Sequence, residues 1–214
     1  FYVILKRKGR DMNKIIIISI LLNCSIYSFG QQKEEINLIQ ADSTWSKEII
    51  QIPFWFAPEI NFNGHEDIRF AKGWEKIDST GFWTYVFAWE INLKTKPTTK
   101  FFEDNLKLCF DGLMKVVNED TLLIIPKTKA LFIRKEQKKE ITTFTGILEI
   151  YDAFTTKKMI KLNVTIESYY CKKTKTFIPL FRFSPKDFKH EAWEMLNQVT
   201  LRPNICNDKQ KDTP

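Results

Sequence analysis

Between Phe82 and Leu93 the chain places a large apolar side chain at every second position. Trp83, Tyr85, Phe87, Trp89, Ile91 and Leu93 alternate with smaller or more polar neighbours such as Thr84, Ala88, Glu90 and Asn92. Strand side chains point alternately to opposite faces, so these six would crowd one face of a sheet. The pattern predicts a central strand with a heavily aromatic face that helices cover.

Other periods place the remaining elements. Residues 45–52 read as a short strand stopped by Pro53, and residues 54–58 as an aromatic segment held between Pro53 and Pro58. Prolines keep that segment out of a central strand and favour an edge or a covering loop. Residues 60–70 read as a hairpin around Asn63 and Gly64, with Ile60 opposite Ile68 and His65 at the tip. After Pro97 the period becomes helical: Phe102, Leu106, Cys109, Leu113 and Val116 mark one stripe, which predicts a helix over about 99–117 with Glu103 and Asp104 in its first turn. Strands follow at 121–125, 129–135, 141–151, 158–167 and 177–183. The fourth of these alternates most cleanly, Ile160, Leu162, Val164 and Ile166 against Lys161, Asn163, Thr165 and Glu167. Ser184, Pro185 and Asp187 then supply the start signals of a second helix, about 185–199.

Strands, helix, strands, helix is the order of an α+β fold. We expect a mainly antiparallel sheet with both amphipathic helices packed on one face. One domain would occupy 45–202, after a loose lead-in at 31–44 and before a polar tail at 203–214. The layout resembles the sandwich of the photosystem oxygen-evolving P-subunit, a likeness of topology that transfers no function.

The first 30 residues have a different character. Met12 and Lys14 precede an apolar run, Ile15 to Leu22, and small or polar residues reach Gly30. This is the design of a secretory signal peptide, with Phe1 to Asp11 as an upstream extension. Two processing sites compete: an ordinary cleavage before Gln31, and a lipoprotein box over 21–24 that would lipidate Cys24, with Asn23 departing from the small residue usual there. The leader holds five basic residues (Lys6, Arg7, Lys8, Arg10, Lys14) and one acid (Asp11), so it carries most of the net charge of +7. What remains is an ordinary balance for a soluble domain and gives no basis for a nucleic-acid partner. No segment of the mature chain is apolar and long enough to predict a transmembrane span.

Of the four cysteines, Cys109 falls on the inner stripe of the first helix, where a buried thiol is expected. Cys171 and Cys206 are candidates for a disulfide in an oxidising compartment, and no spacing matches a zinc site.

Four stretches carry a resemblance: Trp45 to Glu48, Pro53 to Pro58, Gly64 to Phe70, and Gly73 with Trp74. Together they resemble a family of uncharacterised secreted proteins from Bacteroidetes-type bacteria, over most of the mature chain. The resemblance implies an envelope location and a fold, and it implies no activity.

Candidate chemistry is sparse. His65, Glu66 and Asp67 form the one place where a histidine meets carboxylates, but consecutive strand residues alternate in direction, so at most His65 and Asp67 share a side. His190 stands beside Glu191 on a helix, outside its inner stripe. No nucleophile elbow, zinc-helix, phosphate-loop or dinucleotide motif is present, and with two histidines and seven glycines there is little material for a metal centre or phosphate cradle. No cofactor is predicted. Five of the six tryptophans fall early: Trp45, Trp55, Trp74, Trp83 and Trp89. Trp83 and Trp89 belong to the core pattern. Trp55 and Trp74 sit in loop-like settings, where they are either lids on the sheet or exposed rings that stack on a sugar or a partner. Arg69 and Arg182 are candidate carboxylate or glycan partners, with surface ion pairing as the plain alternative.

The expectation from sequence is a secreted or periplasmic, non-enzymatic domain that binds a partner protein or envelope surface. A glycan-binding module using Trp55 and Trp74 is the rival. A hydrolase working through His65, Glu66 and Asp67 comes third.

Overall fold

The computed structural model describes residues 37–120 and 122–207. The signal-peptide and Cys24 readings fall outside them. The chain runs through β1 (Ile39–Gln40), β2 (Ser46–Ile52), β3 (Gly64–Phe70), β4 (Tyr85–Ile91) and helix α1 (Thr99–Val117). A meander follows: β5 (Lys129–Lys138), β6 (Ile141–Tyr151), β7 (Met159–Cys171) and β8 (Thr176–Ser184). Helix α2 (Glu191–Gln198), β9 (Thr200–Leu201) and a 3-10 turn (Ile205–Asn207) close the described chain. The fold class is α+β, as the alternation of elements predicts.

Seven strands form one antiparallel sheet in the order β2-β3-β4-β8-β7-β6-β5, and β1 pairs with β9 beside it. The predicted central strand is central but shorter at both ends. Trp83 has a positive φ of 46° and belongs to the turn before β4, where its N–H donates to the Trp74 carbonyl at 2.9 Å. Tyr85, Phe87 and Trp89 do share one face, and they stack with Phe181 and Phe183 of β8 at centroid distances of 4.5–5.0 Å.

That face is covered by α1. Phe102, Leu106, Cys109, Phe110 and Met114 are buried on it, and the Phe102 ring meets Phe144 and Phe181 edge-on. Thr98 caps the helix by accepting from the Phe101 N–H. Glu103 was expected to serve the helix dipole. Its carboxylate instead accepts the Phe132 N–H at 2.9 Å, and Asp111 accepts the Thr128 N–H at 2.8 Å. Two helix acids thus close part of the outer edge of β5, which would otherwise offer free backbone groups to another strand.

The second helix departs from expectation in extent and in side. Ser184 ends β8, and its Oγ accepts the Lys186 N–H, while Asp187 accepts the Lys189 N–H. These local bonds make consecutive turns in place of a helix start, and the helix begins at Glu191 with His190 as its cap. It packs on the opposite face of the sheet from α1. There Trp193, Leu196 and Val199 join Val86, Ala88, Ile178 and Leu180 with Leu38 and Ile39 in a second core. Val86 and Ala88, small and apolar at even positions of β4, are what this thinner layer needs. Phe188, expected on the inner stripe, is half exposed and lies against Trp193, centroids 4.5 Å apart.

The hairpin predicted over 60–70 is also different. Residues 60–62 are loop, and β3 pairs instead with β2, Ile52 opposite Gly64. His65 therefore lies within a strand, not at a tip. The intervening loop folds back over α1 with Phe54, Ala57, Ile60 and Phe62 buried. Gly112 of α1 permits the approach, since a methyl group there would overlap the Phe56 carbonyl. Residues 122–125 form no strand, and Leu122 and Ile124 are among the most exposed apolar side chains. At the other end of the domain, β1 extends the folded core back to Leu38, inside the stretch read as a loose lead-in.

Candidate functional site

The His65, Glu66 and Asp67 triplet is split by the sheet, as alternation requires. His65 and Asp67 face the thin second layer, and Glu66 faces α1. His65 Nε2 lies 3.2 Å from Glu90 Oε2 in a mostly buried pair. Asp67 is fully buried. Its Oδ2 accepts the N–H groups of Leu38 (2.7 Å) and Ile39 (3.1 Å), and its Oδ1 accepts from Arg69. Arg69 in turn donates to Asn37 Oδ1 and to the Ile39 carbonyl. Burial raises the Asp67 carboxyl above its ordinary value, opposed by the Arg69 guanidinium and the two backbone donors.

Arg69 is thus an interior staple that holds β1 against the sheet, not the surface partner for a ligand that its charge suggested. The same holds for Arg182, which is buried and donates to the carbonyls of Leu196 and Val199 at 3.0 Å each, tying down the C-terminal end of α2. His190 uses Nδ1 to accept the Ala192 N–H. No group of three or more metal-ligating side chains converges among the described residues.

Glu66 is 3% exposed, in the core between β3 and α1. Trp89 Nε1–H donates to its Oε2 at 2.5 Å. Burial pushes its carboxyl up to about 8, with the Trp89 hydrogen bond pulling the other way and Glu48 and Asp67 adding to the rise. The Tyr85 hydroxyl and the Cys109 thiol are buried near enough to feel its charge, and burial raises both of them well above their ordinary values. An acid kept protonated in an apolar core is a feature catalysis can exploit. Here the 53–63 loop seals it: Phe54 and Phe62 both pack on Trp89.

The two candidate tryptophans are not brought into one surface. Trp55 is 72% exposed on the covering loop, edge-on to Phe56 at 5.6 Å. Trp74 is half-buried, stacked on Phe70 at 4.7 Å and edge-on to Trp83 and Phe154. No ring contact links the two sets among the described residues. Cys171 and Cys206 form a disulfide with Cα atoms 4.9 Å apart, which binds the 3-10 turn to the end of β7, and Cys109 is a free buried thiol.

A feature that residue-by-residue reading missed is the bare half of the sheet. The second layer covers β3, β4, β8 and the Tyr169–Cys171 end of β7, and the β8–α2 connection reaches Asn163 through the Lys186 carbonyl, while the same face of β5, β6 and the rest of β7 stays open. Leu131 (66% exposed) pairs with Ile147, and Ile133 (53%) with Thr145, in adjacent rows of this face. Asn163 and Thr165 of β7 continue these rows, and Lys129, Glu149 and Lys161 border them. The signal was present at Leu131 and Ile133, apolar on the side where β6 and β7 turn outward their threonines. Which face would stay open was not readable, because it depends on how far α2 reaches.

The fold and these side chains define a mainly antiparallel α+β domain whose described helices are too short or too polar to cross a membrane. Compared with protein-family models, curated proteins and solved structures, the chain matches none.

Proposed function

We propose that this chain is a non-catalytic binding domain of the secreted or periplasmic space that docks a protein partner of the cell envelope on the open face of β5, β6 and β7. The observation that carries the reading is the exposure of Leu131 and Ile133 beside Ile147 on one face of paired strands. Soluble domains seldom leave such a face bare without a use. Three strands about 4.8 Å apart and four rows of outward side chains give roughly 400 Å². That is about half of one partner's share of a standard interface. The acids of α1 that hold the β5 edge favour docking on the face over addition of a strand. The Cys171–Cys206 disulfide supports an oxidising compartment, as does the resemblance to secreted bacterial proteins. A second reading, a glycan-binding module, rests on the exposed Trp55 alone.

Retention of the purified protein on an envelope fraction tests the main reading. The double variant Leu131→Asp, Ile133→Asp should lose retention while its melting temperature stays close to wild type, since both side chains are solvent-facing. Undiminished retention would refute it. Loss in Trp55→Ala, with the Asp variant unaffected, would favour the glycan reading.

A further inference from the structure

The strand directions gather lysines at one end of the large sheet. Ile91 opposite Phe177, Ile141 opposite Tyr169, and Cys171 opposite Thr176 place the ends of β4, the β5–β6 turn and the β7–β8 turn side by side. Lys96 follows β4, Lys138 ends β5 and Lys139 stands in the first turn, and Lys172, Lys173 and Lys175 lie in the second. All six are exposed. Glu136 pairs with Lys138 and Glu140 with Lys172, whereas Lys96 and Lys139 make no ion pair among the described residues. The opposite end carries lysines too, Lys157 and Lys158 in the β6–β7 turn, and a loop in which Lys72, Glu75, Lys76 and Asp78 alternate in sign.

Between these lysines lies a cleft of about 20 Å³ lined by Lys96, Lys139, Glu140, Thr142, Ser168 and Tyr170, with the Glu140 carboxylate taken up by Lys172 at 2.7 Å. Its floor is a polar row where the strand pattern calls for core. Gln137, Thr142 and Ser168 are directly opposite one another across β5, β6 and β7, on the same face as Phe144 and Ile166, which are buried under α1. Ser168 is 4% exposed, and none of the hydrogen bonds described for this end uses its hydroxyl. Lys139 has a φ of 50°, a conformation in which Asn or Gly is the ordinary choice. Lys157 and Lys175 adopt the same conformation in the other strand turns, with φ of 54° and 56°. At Lys139 it sets an ammonium group at the mouth of a hydroxyl-lined cleft.

We propose that this cleft binds an oxyanion, the phosphate or carboxylate group of an anionic ligand, with Lys96 and Lys139 supplying the charge and Thr142, Ser168 and Tyr170 donating hydroxyl protons. The volume admits about one water-sized oxygen, so a single oxygen of the group enters and the rest of the ligand lies over the surrounding lysines. Charge-assisted hydrogen bonds of this kind are shorter and stronger than neutral ones. The site is separate from the open face of β5, β6 and β7 and does not depend on it.

Titration of the full domain with inorganic phosphate and with acetate, at low ionic strength and followed by amide chemical shifts, tests the proposal. Saturable shifts at Thr142, Ser168 and Tyr170 are expected, and the tighter of the two anions identifies the group. Lys139→Asn suits the left-handed turn, so it should melt no lower than wild type yet bind about tenfold more weakly. Ser168→Ala should weaken binding without abolishing the fold. Absence of saturable binding to both anions would overturn the proposal. So would binding that neither substitution changes, which would mean diffuse attraction to surface lysines.

Discussion

Replacing Glu66 by Gln should make this protein more stable, and by an amount that grows with pH. Glu66 is sealed between β3 and α1, and its carboxyl is raised from 4.5 to about 8 by burial. The sign follows from where the proton sits. Below 4.5 the group is protonated in both folded and unfolded chains and affects neither. Between 4.5 and 8 the native state holds a proton that the unfolded chain has released, so wild-type stability falls as pH rises. Each pH unit is worth about 1.4 kcal/mol, so the loss is about 3 kcal/mol at pH 7 and about 5 kcal/mol once pH exceeds 8. Gln cannot ionise, and its amide oxygen can still accept the Trp89 Nε1–H. Urea unfolding of both proteins from pH 5 to pH 9 should therefore give curves that nearly meet at the acid end and diverge steadily, with equal slopes in denaturant. A constant difference across that range would show that Glu66 is not the buried acid described, and a destabilised Gln variant at pH 8 would show that the site requires the charge.

Two other outcomes follow from the packing. Reduction of the Cys171–Cys206 disulfide, which spans a sequence separation of 35, should lower stability by about 2–4 kcal/mol; differential scanning calorimetry with and without reductant measures it, and an unchanged melting temperature would mean that the link constrains nothing. Trp74→Ala should lose several degrees of melting temperature, because its ring is wedged among Phe70, Trp83 and Phe154. Trp55→Ala should lose almost none, being exposed, and equal losses in a paired thermal melt would contradict this division.

The amino-acid order alone determined the elements whose signals are local. The alternation in Tyr85, Phe87 and Trp89 required an aromatic strand face, and the stripe through Phe102, Leu106 and Cys109 required an amphipathic helix over 99–117. The strand 141–151 was readable to its ends because polar turns bound it on both sides. Alternation by itself also sends Glu66 to the opposite side of the sheet from His65 and Asp67.

Tertiary structure decided everything that depends on what lies opposite. Asp67 and Arg69 look like a solvated strand face, and they are buried because Leu38 and Ile39 return to cover them. Trp55 and Trp74 look alike in sequence, and only their neighbours make one a lid and leave the other exposed. Ser184 and Asp187 carry the signals of a helix start, yet nearby backbone N–H groups use those oxygens first. The side on which α2 packs was set by volume. Val86 and Ala88 leave room for Trp193, whereas the face of Phe87 and Trp89 is already filled by α1. The lysine-rich end exists because three connections far apart in the chain meet there, and one sequence does not show the register that joins them.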